Sequence, residues 1–373
     1  MRIKSLTLYQ LEIPCKSKFV HAQSARDSSE VILLKAIWNN GAISWGEMLP
    51  REYVTGETIQ SIMETDHASV FESLMQQDFV TVEQVQHVLS QIHHEPRAIL
   101  SFIGGIELML LDGLAKVGTL RLDDHLGQIR STSPGRCVTI GFDCAASGIR
   151  GRFIDARMKK ATAIKLKVGS DLERDMSCIS QLIALNNGGM KIRLDGNGAL
   201  SYDAVTSLLS QISKGSLHSF EEPLIFNMPE LSEKLLAIKA RFDIDIMADE
   251  SLCSLDDAHQ IIQSGHYQWF NIRVGKHGGL LASGMIRDEA RKAGIGIVGG
   301  SMVGETGVLT QASSIFLQRS DDVEYIEGLG QNHDWLQYDP VVNLGGDPAG
   351  FNQLDALEHV FELCVRKERA YQG

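Results

Sequence analysis

The chain has 373 residues, 43% of them hydrophobic and 22% charged, which supports a sizeable core and exceeds what one small module needs. Lysine and arginine number 35 against 47 aspartates and glutamates, a net charge of −12, which argues against general binding to nucleic acid or to an anionic membrane surface. The six cysteines, Cys15, Cys137, Cys144, Cys178, Cys253 and Cys364, show no CxxC or Cys/His zinc spacing, and no apolar run is long enough to span a bilayer, so the expected location is a reducing cytoplasm.

In chain order, segments 1–14 and 30–49 alternate as strands and are joined by a polar stretch, HAQSARDSSE (21–30). A loop, LPREYVTGET, follows. Helical stretches are expected at about 57–77, 82–95 and 102–117, the last being FIGGIELMLLDGLAKV. From about 136 the texture changes to CVTIGF, AIKLKVG, KIRLDGN, LHSFEEP, DIMADES, WFNIRVG, GIGIVGG and DVEYIEG, most of them separated by a helix-length stretch. Strand-helix alternation implies parallel pairing with crossover helices, and eight such units is the count that closes a barrel, with an open doubly wound sheet as the alternative. The expectation is an α/β fold: a modified TIM-type (β/α) barrel over 131–335, with an α+β capping domain from residues 1–130 and a C-terminal segment, 336–373, that returns to it.

Chemistry in a parallel barrel collects at the C-terminal ends of the strands. Here those ends carry Lys165 and Lys167 on the second strand, Asp195 and then Asn197 on the third, and Glu221-Glu222 on the fourth. The fifth has Asp249-Glu250, the sixth Asn271 and Arg273 with Lys276 beyond, and the seventh leads to Ser301, Met302 and Glu305. Buried strand tips rarely hold charge without a partner. Three carboxylates converging on one mouth repel unless a cation sits between them, and oxygen-only donors favour Mg²⁺ or Mn²⁺. The alternative is a ring of ion pairs between these acids and the lysines. An ammonium beside a divalent cation gives up its proton more readily, which suits Lys167 to act as a base that removes an α-proton from a metal-bound carboxylate.

The motifs IKLKVG, RLDGN, FEEP, MADES and NIRVGKHGGL, in this order, are similar to those of the enolase superfamily, and specifically of the mandelate racemase/muconate lactonizing enzyme family, over nearly the whole chain. The resemblance implies Asp195, Glu221 and Asp249 as ligands of Mg²⁺, with Glu221 chosen over Glu222 and Asp249 over Glu250. It implies Lys167 as the base and Lys165 as its neighbour, tuning charge or touching the substrate carboxylate. It also implies a homo-oligomer, a dimer or an octamer. It further implies a small-molecule carboxylate substrate, converted through an enolate.

Two departures follow from the resemblance. The position that usually holds a second catalytic lysine is Arg273, and Lys276 lies three residues later. Arginine is a poor base and a good fixed cation, so the expected chemistry is a one-sided cycloisomerisation or syn β-elimination, muconate cycloisomerase-like. The alternative is a dipeptide epimerase or N-acylamino acid racemase that uses Lys276 as the second acid/base. Glu305 sits one residue later than the acid of related enzymes. Candidate substrate contacts are His21, Arg51 and Tyr53 from the cap, with Arg51 for a second carboxylate, and Asn197, Glu250, Met302 and Glu305 near the strand ends. Two further classes stand beside these. One is an inactive binding protein on the same fold. The other is a dehydrogenase, read from the G-x-G-x-x-G spacing of Gly294, Gly296 and Gly299.

Overall fold

The structure, a computed structural model, describes all residues except 22–23, 93–98, 131–132, 170, 227, 331, 347–351, 357 and 373, with side chains further left out at 17–21, 24–26, 332–333, 341–346, 352–356 and 358–360. Three antiparallel strands open the chain: β1 (Ile3–His21), β2 (Ser24–Trp38) and β3 (Ile43–Met48). Eight parallel strands follow: β4 (Gly135–Ile140), β5 (Ala163–Lys167), β6 (Lys191–Asp195), β7 (Ser219–Glu221), β8 (Asp245–Ala248), β9 (Trp269–Ile272), β10 (Gly296–Gly299) and β11 (Val323–Glu327). They close into a barrel in the order β10-β11-β4-β5-β6-β7-β8-β9. A hairpin of β12 (Val341–Gly346) and β13 (Asn352–Ala356) precedes β14 (Val365–Gln372), which pairs antiparallel with β1 and completes a sheet ordered β14-β1-β2-β3. Among the described residues no helix is long and apolar enough to cross a membrane.

All eight barrel segments read from the sequence contain strands. The two-residue alternation along a strand sorts the side chains. Ile164 and Leu166 join the large core outside the barrel, whereas Ala163 belongs to a small separate cluster with Cys137, Met247, Val298 and Tyr325, packed by Trp269. The barrel interior is therefore apolar low down and charged above, where Lys165, Arg193 and Glu221 occupy the same inward rows.

Two sequence expectations are corrected. Most of the polar stretch 21–30 is strand: β1 runs to His21, β2 starts at Ser24, and Phe19 pairs with Arg26. Backbone pairing in a two-stranded arm needs no apolar period, so the sequence carried no strand signal there. The helix expected over 57–77 is two helices, Ile59–Glu64 and Ala68–Met75. Thr65 leaves the first in extended geometry, and the Asp66 side chain accepts the Ala68 N–H at 3.1 Å, starting the second.

The cap sits on the barrel through glycines and buried acids. Helix Leu100–Lys116 packs on β3 so closely that a Cβ on Gly46 falls 1.8 Å from the Gly105 carbonyl oxygen. Glu47 of β3 accepts from Thr306 N at 2.8 Å, Thr306 Oγ1 at 2.7 Å and Leu309 N at 3.0 Å, capping helix Gly307–Gln318 of the barrel. Glu107 accepts from Leu280 N and Leu281 N, capping helix Leu280–Lys292. The loops after β9 and β10 are thereby fixed by the cap.

Burial pushes Glu47 up to about 7 and Glu107 up to about 8, each from 4.5. The folded state then binds protons that the unfolded chain has released. Their stabilisation is complete below pH 4.5 and is lost as pH rises through 7 to 8. The expected result is a melting temperature that falls by about 5 °C or more between pH 5.5 and 8.5, and a flatter profile in Glu107→Gln. A profile in Glu107→Gln identical to the parent's contradicts this.

Candidate active site

The strand register brings the predicted residues to one end of the barrel. Lys167 pairs with Asp195, and Asp195 with Glu221, across β5, β6 and β7. The turn after β6 needs left-handed backbone, supplied by Asn197 (φ 44°) and Gly198 (φ 63°). Glu222 takes φ 37°, unusual for this residue type, and is over-determined by its partners. Its carboxylate accepts from Asp249 N at 2.6 Å, Ser251 N at 2.8 Å and Ser251 Oγ at 2.6 Å, and from Tyr267 Oη at 3.3 Å. The second acid of FEEP thus ties β7 to the end of β8, and the first, Glu221, faces the mouth.

Asp195, Glu221 and Asp249 have no exposed surface. Each is turned to cationic side chains, so the ring of ion pairs that the sequence offered as an alternative is present. Lys165 Nζ lies 3.1 Å from Glu221 Oε2, 2.5 Å from Glu327 Oε2 and 3.4 Å from Asp195 Oδ2. Lys167 Nζ donates to Asp195 Oδ2 at 3.1 Å and Asn197 Oδ1 at 2.6 Å, with the Phe142 ring 6.0 Å away. Arg273 pairs with Asp249 and lies 3.8 Å from Glu221 Oε1. Burial works against the charges of Glu221 and Asp195, but Lys165 and Arg193 outweigh it for the first and Lys167 for the second, so both carboxylates stay below their ordinary range.

The donor set suits a hard divalent cation in its chemistry: oxygens alone, dry, on three adjacent strand ends. Among the described residues, however, the three carboxylates are not gathered around one point. A cation held by all three competes with Lys165 and Arg273 for their oxygens.

The remaining candidates divide. Asn197 belongs to the constellation: its Oδ1 accepts from Lys167, and its Nδ2 donates to Glu250 Oε1 at 3.0 Å. Burial, then the Asp195 and neighbouring charges, pushes Glu250 up to about 8. Lys276 has no exposed surface and donates to Asp249 Oδ1 at 2.7 Å, Asp249 O at 2.5 Å and Asn271 O at 3.2 Å. It lies behind Asp249 and not on the mouth. Arg51 is 4% exposed and gives its guanidinium to the carbonyls of Glu30, Pro50 and Val303, joining the cap to the β10 loop. Tyr53 is half-buried against the core. Met302 is buried, and its N–H donates to Glu305 Oε2 at 3.0 Å; Glu305 also accepts from Thr310, so its carboxyl braces this loop from within. The side chain of His21 lies outside the described residues. Gly296 and Gly299 bound β10 itself, so the glycine spacing does not sit at the strand-to-helix turn that cradles a dinucleotide.

Two further residues join the site: Arg193, which no motif singles out, and Glu327, one of the eighth-strand acids Asp322, Glu324 and Glu327 that do not clearly match the acidic pair of the dipeptide epimerases. Each shows itself by the two-residue rule: Arg193 lies two before Asp195 on β6, and Glu327 ends the eighth strand two after the inward Tyr325.

Residues 152–345 match the family described as "Enolase C-terminal domain-like". The chain belongs to this family. It is an enzyme of the enolase superfamily, of the isomerase or lyase kind. An L-Ala-D/L-Glu epimerase of Bacillus subtilis (strain 168) is 25% identical over 309 residues, covering 81% of each chain. Muconate cycloisomerase 1 of Acinetobacter baylyi is 25% identical over 320 residues, covering 83% of each. The crystal structure of an N-succinyl Arg/Lys racemase from Bacillus cereus superposes with a TM-score of 0.85 at 19% identity, covering the whole of both chains, and so shares the fold of this enolase-superfamily enzyme.

Proposed function

We propose that this enolase-superfamily enzyme removes the α-proton of a small carboxylate substrate, with Lys167 as the base, in a Mg²⁺-dependent reaction that works on one face of the α-carbon. Asp195, Glu221 and Asp249 would hold the cation, which when bound supplies charge neutralisation for the substrate carboxylate as negative charge develops on it. The chain's own groups supply the rest. Lys167 stands at the mouth with 13% of its side chain exposed, whereas Lys165 has 4% and is enclosed by three carboxylates. Glu221, Glu327 and Asp195 outweigh burial and hold the Lys165 pKa above the ordinary lysine value, which keeps it a cation for the substrate carboxylate. Lys167, the more exposed of the two, is the lysine placed to meet the substrate α-proton.

The observation that carries one-sidedness is the placing of Arg273. Strands β5 and β9 are four apart in an eight-stranded closed barrel, so Lys167 and Arg273 face each other across the mouth. A guanidinium there stays charged and stabilises an anion; it does not accept a proton. This favours a cycloisomerisation or a syn β-elimination. The second reading, epimerisation or racemisation, is favoured by the names of the Bacillus relatives and requires Lys276 as the second acid/base. Against it, Lys276 is enclosed by Asp249 and two backbone carbonyls.

Each enantiomer of an active substrate, incubated with the enzyme in D₂O, separates the two. Deuterium is expected to enter one enantiomer only. Exchange into both, abolished in Lys276→Met, would establish the epimerase reading; exchange into both that survives Lys276→Met and is lost in Arg273→Met would show that the arginine serves as a base.

A further inference from the structure

Four charged side chains close a ring inside the barrel. Arg193 Nη2 donates to Glu221 Oε2 at 2.6 Å; Lys165 Nζ lies 3.1 Å from the same oxygen and 2.5 Å from Glu327 Oε2; Glu327 Oε1 returns to Arg193 Nη1. The signs alternate around the ring. Arg193 and Glu221 have no exposed side-chain surface, and Lys165 and Glu327 have 4% and 8%. The Arg193 guanidinium lies 5.1 Å from the Tyr325 ring centroid, and its Nη2 contacts Met247 Sδ. Glu221 on β7 and Glu327 on β11 come from opposite walls, four strands apart, and Arg193 reaches between them.

Stability does not call for such a ring. Buried ion pairs are often replaceable by packed apolar groups at no loss, whereas an incomplete set is costly. What the ring supplies is orientation. A planar fork holds two different carboxylates at a fixed spacing and angle through its two Nη groups, an orientation that a single, freely rotating ammonium does not impose. Glu221 Oε2 is drawn down to Arg193, and Oε1 is left on the side of β9, 3.1 Å from Asn271 Nδ2. Lys165 is held between Glu221 and Glu327 instead of folding wholly onto Asp195.

We propose that Arg193 and Glu327 are positioning residues: together they aim the Glu221 carboxylate and the Lys165 ammonium at the mouth, Glu327 acting through these groups and not as a proton donor. This rests on the divalent-cation reading above. It also gives the acid on the eighth strand a role that has no substrate contact in it.

The test is Mn²⁺ binding, followed by the electron paramagnetic resonance signal of the free ion, on the parent chain, Glu327→Gln, Arg193→Met and Arg193→Lys. Positioning is expected to weaken binding about 10- to 100-fold in both Glu327→Gln and Arg193→Met, with the double variant no weaker than the worse single one. A pure charge effect gives opposite signs: loss of the arginine would tighten binding and loss of the glutamate would weaken it. Tighter or unchanged binding in Arg193→Met, with native circular dichroism, overturns the proposal. If Arg193→Met does not fold, Arg193→Lys decides, because it keeps the charge and loses the fork; an affinity within twofold of the parent overturns the proposal. A parent chain that binds no Mn²⁺ overturns both this proposal and the cation reading, whereas a binding parent with equally binding variants overturns this proposal alone.

Discussion

Lys167→Ala is expected to lower both turnover and solvent exchange of the substrate α-proton by about 10²-fold or more, the usual loss on removing a positioned base. Its contacts explain why the loss falls on chemistry and not on folding. Lys167 has two polar partners, Asp195 and Asn197, and Asp195 keeps the Lys165 ammonium at 3.4 Å when Lys167 is gone. Asn197 keeps its bond to Glu250. Lys165→Ala is the contrasting case. It removes the cation between three buried carboxylates, so its loss is expected to appear as lower stability and weaker substrate binding together. Native-like stability in Lys167→Ala with wild-type exchange would remove the lysine from the chemistry.

Asp249→Asn is expected to abolish activity, to weaken divalent-cation binding, and to destabilise the fold by about 3–5 kcal/mol, the range for stranding a buried charge. The third effect follows from Lys276. Its ammonium is fully enclosed, and Asp249 Oδ1 at 2.7 Å is the carboxylate paired with it. Arg273, which pairs with the same carboxylate, loses its anchor in the same variant. Asp195→Asn should weaken cation binding comparably but cost less stability, because Lys165 retains Glu221 and Glu327 and Lys167 retains Asn197. Urea unfolding of the two variants checks the order; an Asp249→Asn protein as stable as the parent contradicts the placing of Lys276 behind the ligand.

The barrel was legible because its signal is repeated: eight short apolar runs, most separated by a helix-length stretch, leave few other architectures. The acids were legible because charge at the end of a buried strand is exceptional, and three in succession more so. What the sequence concealed is the second layer. Arg193 reads as an ordinary basic residue in KIRLDGN until the alternation places it on the inward row beneath Asp195. Lys276 lies close behind Arg273 in sequence, yet the turn after β9, closed by Lys276 N donating to Arg273 O at 2.9 Å, sends it behind Asp249. Arg51 suits a substrate carboxylate in composition, but the fold gives its donors to backbone carbonyls that join the cap to the barrel. In each case the residue type was informative and its direction was set by contacts distant in sequence.

The most direct measurement is α-deuteration of a panel of small carboxylates in D₂O, read by mass spectrometry, with Mg²⁺ and after exhaustive chelation. Proton removal by Lys167 in a cation-dependent site gives exchange into at least one carboxylate with Mg²⁺, none after chelation, and none in Lys167→Ala. Exchange that persists after chelation, or that Lys167→Ala carries out at the wild-type rate, contradicts it.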